Sequence, residues 1–404
     1  MKRIIFTSFL LVFILGSSCI AEEDFDTQLQ TIVQPYLFSI ARWESRTIPQ
    51  EVKQWLFQVE ERVDGEISVV TEYFAATMRI KTLGAEIAAT SAGNSRNDPA
   101  LLEAELQELQ AQKIILQDTV ERIIEKQVRD TLTRQSIFNP IIALRVSFPP
   151  VNFKLEKPPY LLVISPRERI ESMREITLKT SLIPEEMEDI EGKVDELGVS
   201  SLVVGLGGLG ATYPTLVNDE ASLRSTIDTV AEEWLHQYLA FKPLGFLYLL
   251  DLTGLSRNYE IATMNESLAG MVSQEIGSMV YEKYYSEYEN GATQNRPGEP
   301  EFDFNREMRE IRQTVEAYLA RGEIEQAEGF MEEKRQYLAS MGYYIRKLNQ
   351  AYFAFHGTYA DKPAFISPIG LELRELRSQS ASLKDFLNAA AGMASRQDLR
   401  DSIK

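Results

Sequence analysis

The chain has 404 residues, 44% of them hydrophobic and 25% charged, which is enough to bury a large core and points to two or three domains. Its 42 Lys+Arg against 60 Asp+Glu give a net charge of −18, which disfavours binding to nucleic acid or to an anionic membrane surface.

The N-terminus has the form of a targeting segment. Lys2 and Arg3 precede an apolar stretch from Ile4 to Leu15, long enough for a signal sequence and short for a membrane span. Cys19-Ile20-Ala21 offers a signal-peptidase site, so residues 1–21 are expected to be a signal peptide and the protein to be exported, periplasmic or extracellular. Leu15-Gly16-Ser17-Ser18-Cys19 also allows a lipoprotein reading. An uncleaved anchor is the third alternative, and both imply membrane attachment through the N-terminus. Cys19 is the only cysteine, so a mature chain has neither disulfides nor a thiol nucleophile.

Residues 22–145 read as a helical N-terminal domain. The run from Leu101 to Gln110 opens a long helix whose apolar residues Leu102, Leu106, Leu109, Ile114, Leu116, Val120, Ile123 and Val128 recur mostly at three-to-four spacing. Asp98 is its expected cap and Pro99 its first turn. The texture changes near Ser147. Phe148-Pro149-Pro150 and Pro158-Pro159 frame a short buried strand at Tyr160–Ile164, helix returns over about Glu185 to Leu197, and Ser200 to Tyr213 forms a second strand region. From Ala221 onward the pattern is helical, with breaks at Gly254, Gly291 to Pro300 and Lys362 to Pro368. The expected class is therefore mainly α (α+β), with a second domain over 146–404.

Within that second domain, Glu232-Glu233-Trp234-Leu235-His236 puts Glu232 and His236 four apart on one helical face. The apolar stripe Ile227, Val230, Ala231, Trp234, Leu235 and Tyr238 lies elsewhere on the same helix. Taken alone, the five residues also fit a solvated polar face. Asn265-Glu266 is expected to open the next helix, in which Glu266, Gly270, Ser273 and Gly277 form a stripe of small residues beneath a carboxylate. Such a stripe lets a second helix come close, and ordinary helix packing accounts for it equally. Phe355-His356-Gly357-Thr358-Tyr359 supplies the other histidine of the chain and a tyrosine, either of which could donate to an oxyanion or simply pack in a loop. The run Gly205-Leu206-Gly207-Gly208-Leu209-Gly210 contains a literal Gly-x-Gly-x-x-Gly. Pro214 and the β-branched residues after it oppose the helix that a dinucleotide site requires, so a glycine-rich edge strand able to add an extended peptide is expected instead.

These residues resemble the gluzincin metallopeptidases, and more narrowly exported bacterial predicted peptidases whose active helix reads His-Glu-Trp-x-His and whose next helix opens Asn-Glu-x-x-Ala. The resemblance covers roughly Val204 to Ala389 and rests on Glu233-Trp234-Leu235-His236 with Asn265-Glu266-Ser267-Leu268-Ala269. It implies a zincin-like domain in which His236 and Glu266 are zinc ligands and Glu233 is the general base. His356 or Tyr359 would face the oxyanion, and the substrate would be a peptide or protein. The span from Phe241 to Thr263 is then an inserted loop. Glu232 stands where the family has its first metal-binding histidine. A carboxylate can ligate zinc, yet it adds negative charge, weakens the pull on a bound water and tilts the choice toward harder ions such as Mn²⁺. The expected function is an exported metal-dependent peptidase, attenuated by Glu232. The alternative is a pseudopeptidase without metal that binds peptides or a partner protein in the old cleft.

Overall fold

In the computed structural model of the chain the described residues are 20–45, 47, 65–91, 98–141, 145–288, 302–357 and 367–403. The Lys2–Leu15 segment, Cys19 and Tyr359 lie outside them, so the targeting reading and the proposed role of Tyr359 concern residues not described. The elements in order are α1 (Ile20–Val33), α2 (Glu66–Ser91), α3 (Pro99–Arg134), β1 (Phe153–Leu155), β2 (Tyr160–Pro166), β3 (Arg174–Leu178), α4 (Pro184–Asp195), β4 (Val199–Gly205), β5 (Gly208–Leu209), β6 (Thr215–Val217), α5 (Leu223–Leu239), α6 (Pro243–Leu252), α7 (Tyr259–Tyr285), α8 (Phe304–Ala320), α9 (Ile324–Ser340), α10 (Gln350–His356), α11 (Ile369–Gln379), α12 (Leu383–Ala391) and α13 (Arg396–Ser402). The protein is mainly α with two small sheets, as its periodicity indicated.

The long helix α3 starts where the sequence says it should. Asp98 is its N-cap, accepting from Ala100 N at 3.0 Å, and Pro99 occupies the first turn, where a missing N–H does no harm. Its second half is the buried half, through Val120, Ile123, Ile124, Val128 and Leu132, whereas Ile114 and Ile115 are exposed. The apolar stripe read from the sequence therefore faces the core only in part. At Ile114 α2 still runs alongside, with Gln112 Nε2 donating to Glu72 and Lys113 over the Tyr73 ring, so the spacing continues there on a face that α2 does not cover. The buried half packs on α2 and on α5 and α7, so residues on both sides of position 145 contribute to one core.

One three-stranded sheet has the order β3-β2-β4 with β2 central and antiparallel to both neighbours. Leu162, Val163 and Ile164 are fully buried in it. Such a run, apolar on both faces, is what a strand covered on both sides requires. Here α1 and α4 cover one face and α10 the other. The second sheet has the order β1-β6-β5, with β1 parallel and β5 antiparallel to β6. Its edge strand β5 lies at the glycine run, ahead of α5. The run contains no helix, because the next one begins only at Leu223.

The segment expected to be an inserted loop is for the most part helical. After α5, a three-residue connection leads to Pro243 at the first turn of α6, and a further short connection reaches α7, which is capped by Asn258. The connection before α6 is tight because Gly245 lies against the Leu239 carbonyl, where a Cβ would fall within the van der Waals envelope of the backbone. Gly245→Ala is thus expected to lower stability by roughly 2–3 kcal/mol, the scale of overpacking against backbone that cannot give way. It should read as a reduced urea midpoint with an unchanged slope.

Candidate metal centre

Helix α5 is positioned by its apolar face. Leu223, Ile227, Val230, Ala231, Trp234, Leu235 and Tyr238 are all buried, and Ser222 caps the N-terminus by accepting from Ser225 N. Trp234 fixes the rotation of the helix further, its Nε1 donating to the Pro149 carbonyl at 2.7 Å. The polar face, with Glu232, Glu233, His236 and Gln237, is consequently presented as a unit.

Two of those residues clamp the glycine run to the helix. Gly210 N donates to Glu233 Oε2 at 2.7 Å, and Gln237 Nε2 donates to the Gly210 carbonyl at 3.1 Å and to Thr215 Oγ1 at 3.0 Å. The glycines are needed for this approach. A Cβ on Gly208 or on Gly210 would come within 2.6 Å of a Glu233 carboxylate oxygen. Burial is the main reason that the Glu233 carboxyl is pushed up to about 8. The nearby Glu266 adds to the effect, and the Gly210 hydrogen bond opposes it.

Glu266 does not open a helix. It lies two turns inside α7, whose N-cap is Asn258, in a stretch from Ile261 to Gly270 that is buried all round. Sequence reading misplaced the start because Asn265 resembles a cap, whereas the true cap lies seven residues upstream and Asn265 is used otherwise. Fully buried, Asn265 turns its amide to His236, with Nδ2 3.1 Å from Nδ1, while its Oδ1 is buried without a donor. As placed, Nδ2 donates to Nδ1; with the two ends of the amide exchanged, Oδ1 would accept from Nδ1–H instead. Only the exchanged arrangement leaves Nε2 the lone pair that a metal-ligating histidine needs.

The donor atoms of Glu232, His236 and Glu266 all lie within 4.8 Å of one another, and His236 Nε2 is 3.7 Å from Glu266 Oε2. Ligands about 2.0–2.2 Å from a tetrahedral ion sit roughly 3.5 Å apart, so the His236–Glu266 pair is already near that span and Glu232 would close by at most about 1.3 Å. Glu266 is only 5% exposed, and its Oε2 has no hydrogen-bond donor. A buried carboxylate oxygen facing an imidazole and a second carboxylate, with no donor of its own, is compensated by a cation or by a proton. The residues present fit a divalent ion with mixed N and O ligands.

The other Glu266 oxygen, Oε1, accepts the hydroxyl of Tyr248, whose ring lies 6.0 Å from that of His236. Sequence reading missed Tyr248, because it lies in the segment taken for an inserted loop. Its signal was the helix-starting Pro243 five residues earlier. His356 is less central than expected. It ends α10, its ring packs 4.4 Å from that of Tyr352 and 4.9 Å from that of Phe355, and it is not part of the three-residue group. The small-residue stripe does two separate things. Gly277 lies against Asp228 of α5 and permits the close approach of the two helices, while Gly270 faces open space.

Comparisons with protein-family models, with curated proteins and with solved structures each found no match to this chain.

Proposed function

We propose that the protein is an exported metal-dependent peptidase of gluzincin type, attenuated by Glu232, in which Glu232, His236 and Glu266 hold one divalent ion. The observation that carries this reading is the buried Glu266 oxygen without a donor, facing His236 Nε2 within a three-ligand cluster. When bound, zinc or a harder ion such as manganese supplies Lewis-acid polarisation of a peptide carbonyl and acidifies water.

The chain's own residues do the rest. Glu233 stands on the proposed ligand helix one residue before Trp234, and its carboxylate accepts from Gly210 N–H. Raised to about 8 by burial and by Glu266, the carboxyl holds its proton at neutral pH in the metal-free chain; a cation beside Glu266 would offset that repulsion and leave Glu233 able to take a proton from water and return it to the leaving amine. Tyr248 is a second hydroxyl donor beside the site. It donates to Glu266 at rest and, in this reading, would turn that hydroxyl to negative charge developing on a carbonyl oxygen. The zincin-like arrangement of a glycine-rich edge strand, ligand helix and second ligand helix belongs to the same proposal, which would assign β5, α5 and α7 to those three roles.

A hydrolysis assay separates this from a peptide-binding role without chemistry. Zinc-loaded protein is expected to cleave a mixed peptide library, with products read by mass spectrometry. Glu233→Gln should keep the metal and lose about 100-fold or more of the rate, since proton transfer by a positioned side chain is worth about 10²–10⁴-fold. Equal rates in the two proteins would assign the activity elsewhere.

A further inference from the structure

Helix α6 is apolar on every side, its only ionisable residues being Tyr248 and the buried Asp251. A helix of that kind is normally enclosed. Here α5, α7 and α12 cover one side, with Leu244 in the core, while Phe246, Leu249 and Leu252 are 56%, 42% and 44% exposed. The face continues onto the connection before the helix, where the exposed Phe241 ring lies 5.3 Å from that of Phe148. Phe148 and Val146 are exposed as well, and an open hollow of about 570 Å³ lies between Phe241, Phe246 and Ala394. Contiguous apolar surface of this kind marks a contact with something else.

Charge says what that something is. The chain has 60 acidic residues in 404, yet the segments that build this face nearly lack them. Thr131 to Leu155 contains none, and Trp234 to Tyr259 contains only the buried Asp251. Their cations stand at the rim. Arg145 lies over the Phe138 ring at 5.8 Å and Lys242 over the Tyr238 ring at 5.9 Å, and neither forms an ion pair among the described residues. Apolar tips inside a basic rim match a lipid surface, where rings enter the acyl boundary and long cations reach headgroup phosphates. The net charge of −18 does not forbid this contact, because charges more than about 8 Å away are largely screened at physiological ionic strength. The fold also puts the face near the start of the described chain. Asp26 of α1 lies 3.6 Å from Arg174 of β3, and Arg257, just after α6, donates to the adjacent Met173 carbonyl at 3.2 Å. A tether in the apolar Ile4–Leu15 segment would therefore hold this side of the protein toward a bilayer.

We infer that the α6 face, with Phe148 and Phe241, is a membrane-docking surface for an anionic bilayer, separate from the N-terminal segment. It does not depend on the peptidase reading.

The test uses the full chain with Cys19→Ser and one new cysteine carrying an environment-sensitive dye, at Leu249→Cys on the face or at Ile115→Cys on α3. Ile115 is exposed and apolar too, but it lies one helical turn from the exposed Asp118. Vesicles are phosphatidylcholine alone or a mixture with phosphatidylglycerol. On the mixed vesicles the dye at 249 is expected to brighten as it leaves water, and the dye at 115 to stay as it was. Half of the change should need about fivefold less lipid than with phosphatidylcholine alone, the effect of one Lys or Arg near an anionic surface. Phe241→Ser with Phe246→Ser should raise the lipid needed about tenfold or more, since each ring has about half of its area still to bury. The N-terminal segment is present in all these proteins, so flotation with vesicles without brightening at 249 shows a tether alone and overturns the inference. Equal brightening at 249 and 115 overturns it as well. Brightening that needs no lipid and grows with protein concentration assigns the face to a second copy instead. Equal responses to the two vesicle types overturn the choice of an anionic surface.

Discussion

Replacing Glu266 with glutamine is expected to reduce zinc affinity by more than about 100-fold, because loss of an outer partner of a ligand already costs about 10–100-fold. The substitution keeps the shape of the side chain and an oxygen for the Tyr248 hydroxyl, so the fold should survive it. Its effect on stability should change sign with metal. In metal-free protein the wild type holds a buried carboxylate oxygen without a donor, and removing that charge should stabilise by about 1–3 kcal/mol. With zinc at about 100 times its dissociation constant, the wild type gains about 2.7 kcal/mol that the variant cannot gain. Melting temperatures of both proteins, in chelator and in zinc, test this directly. A variant that binds zinc as the wild type does, or two melting curves indifferent to zinc, would remove Glu266 from any metal site.

The second large effect runs the other way. Glu232→His should raise zinc affinity about tenfold or more and raise peptide hydrolysis with it. In the wild type the two candidate ligand carboxylates, Glu232 and Glu266, and Glu233 crowd one face of α5 and the facing turn of α7. Exchanging one carboxylate for imidazole removes a negative charge from the ion's surroundings. The ion then draws more strongly on water, and zinc gains over manganese, since imidazole suits zinc and carboxylate suits the harder ion. Titration with zinc and with manganese, followed by rates for each, reads both consequences. Unchanged zinc affinity in the variant would show that Glu232 is not a ligand, and a fall in activity would show that the carboxylate is needed in its own right.

Much of the site was legible because it depends on helical periodicity. The spacing of Glu232 to His236 places both on one face whatever the surroundings. The apolar stripe through Trp234 and Leu235 then requires that this face be the one left over. Asp98 and Pro99 fixed the start of α3 for similarly local reasons. Local signals failed where a residue with a local preference was committed to a distant partner. Asn265 resembles a helix cap, yet it is buried in mid-helix against His236, and only the packing of α7 on α5 reveals that use.

Composition, periodicity and the order of residue types thus determined that the chain is mainly helical, that its long helix begins at Pro99, and that one helix carries two acids and a histidine on a common face. The tertiary structure alone decided that Glu266 meets that face, that Tyr248 comes with it on α6, and that Gly208 and Gly210 must lack side chains because Glu233 occupies the space. The division has a physical cause. Periodicity records which way a side chain points on its own element, whereas a site is made where two elements cross. That crossing is set by the close approach at Gly277 and by a shared core built from residues far apart in the chain.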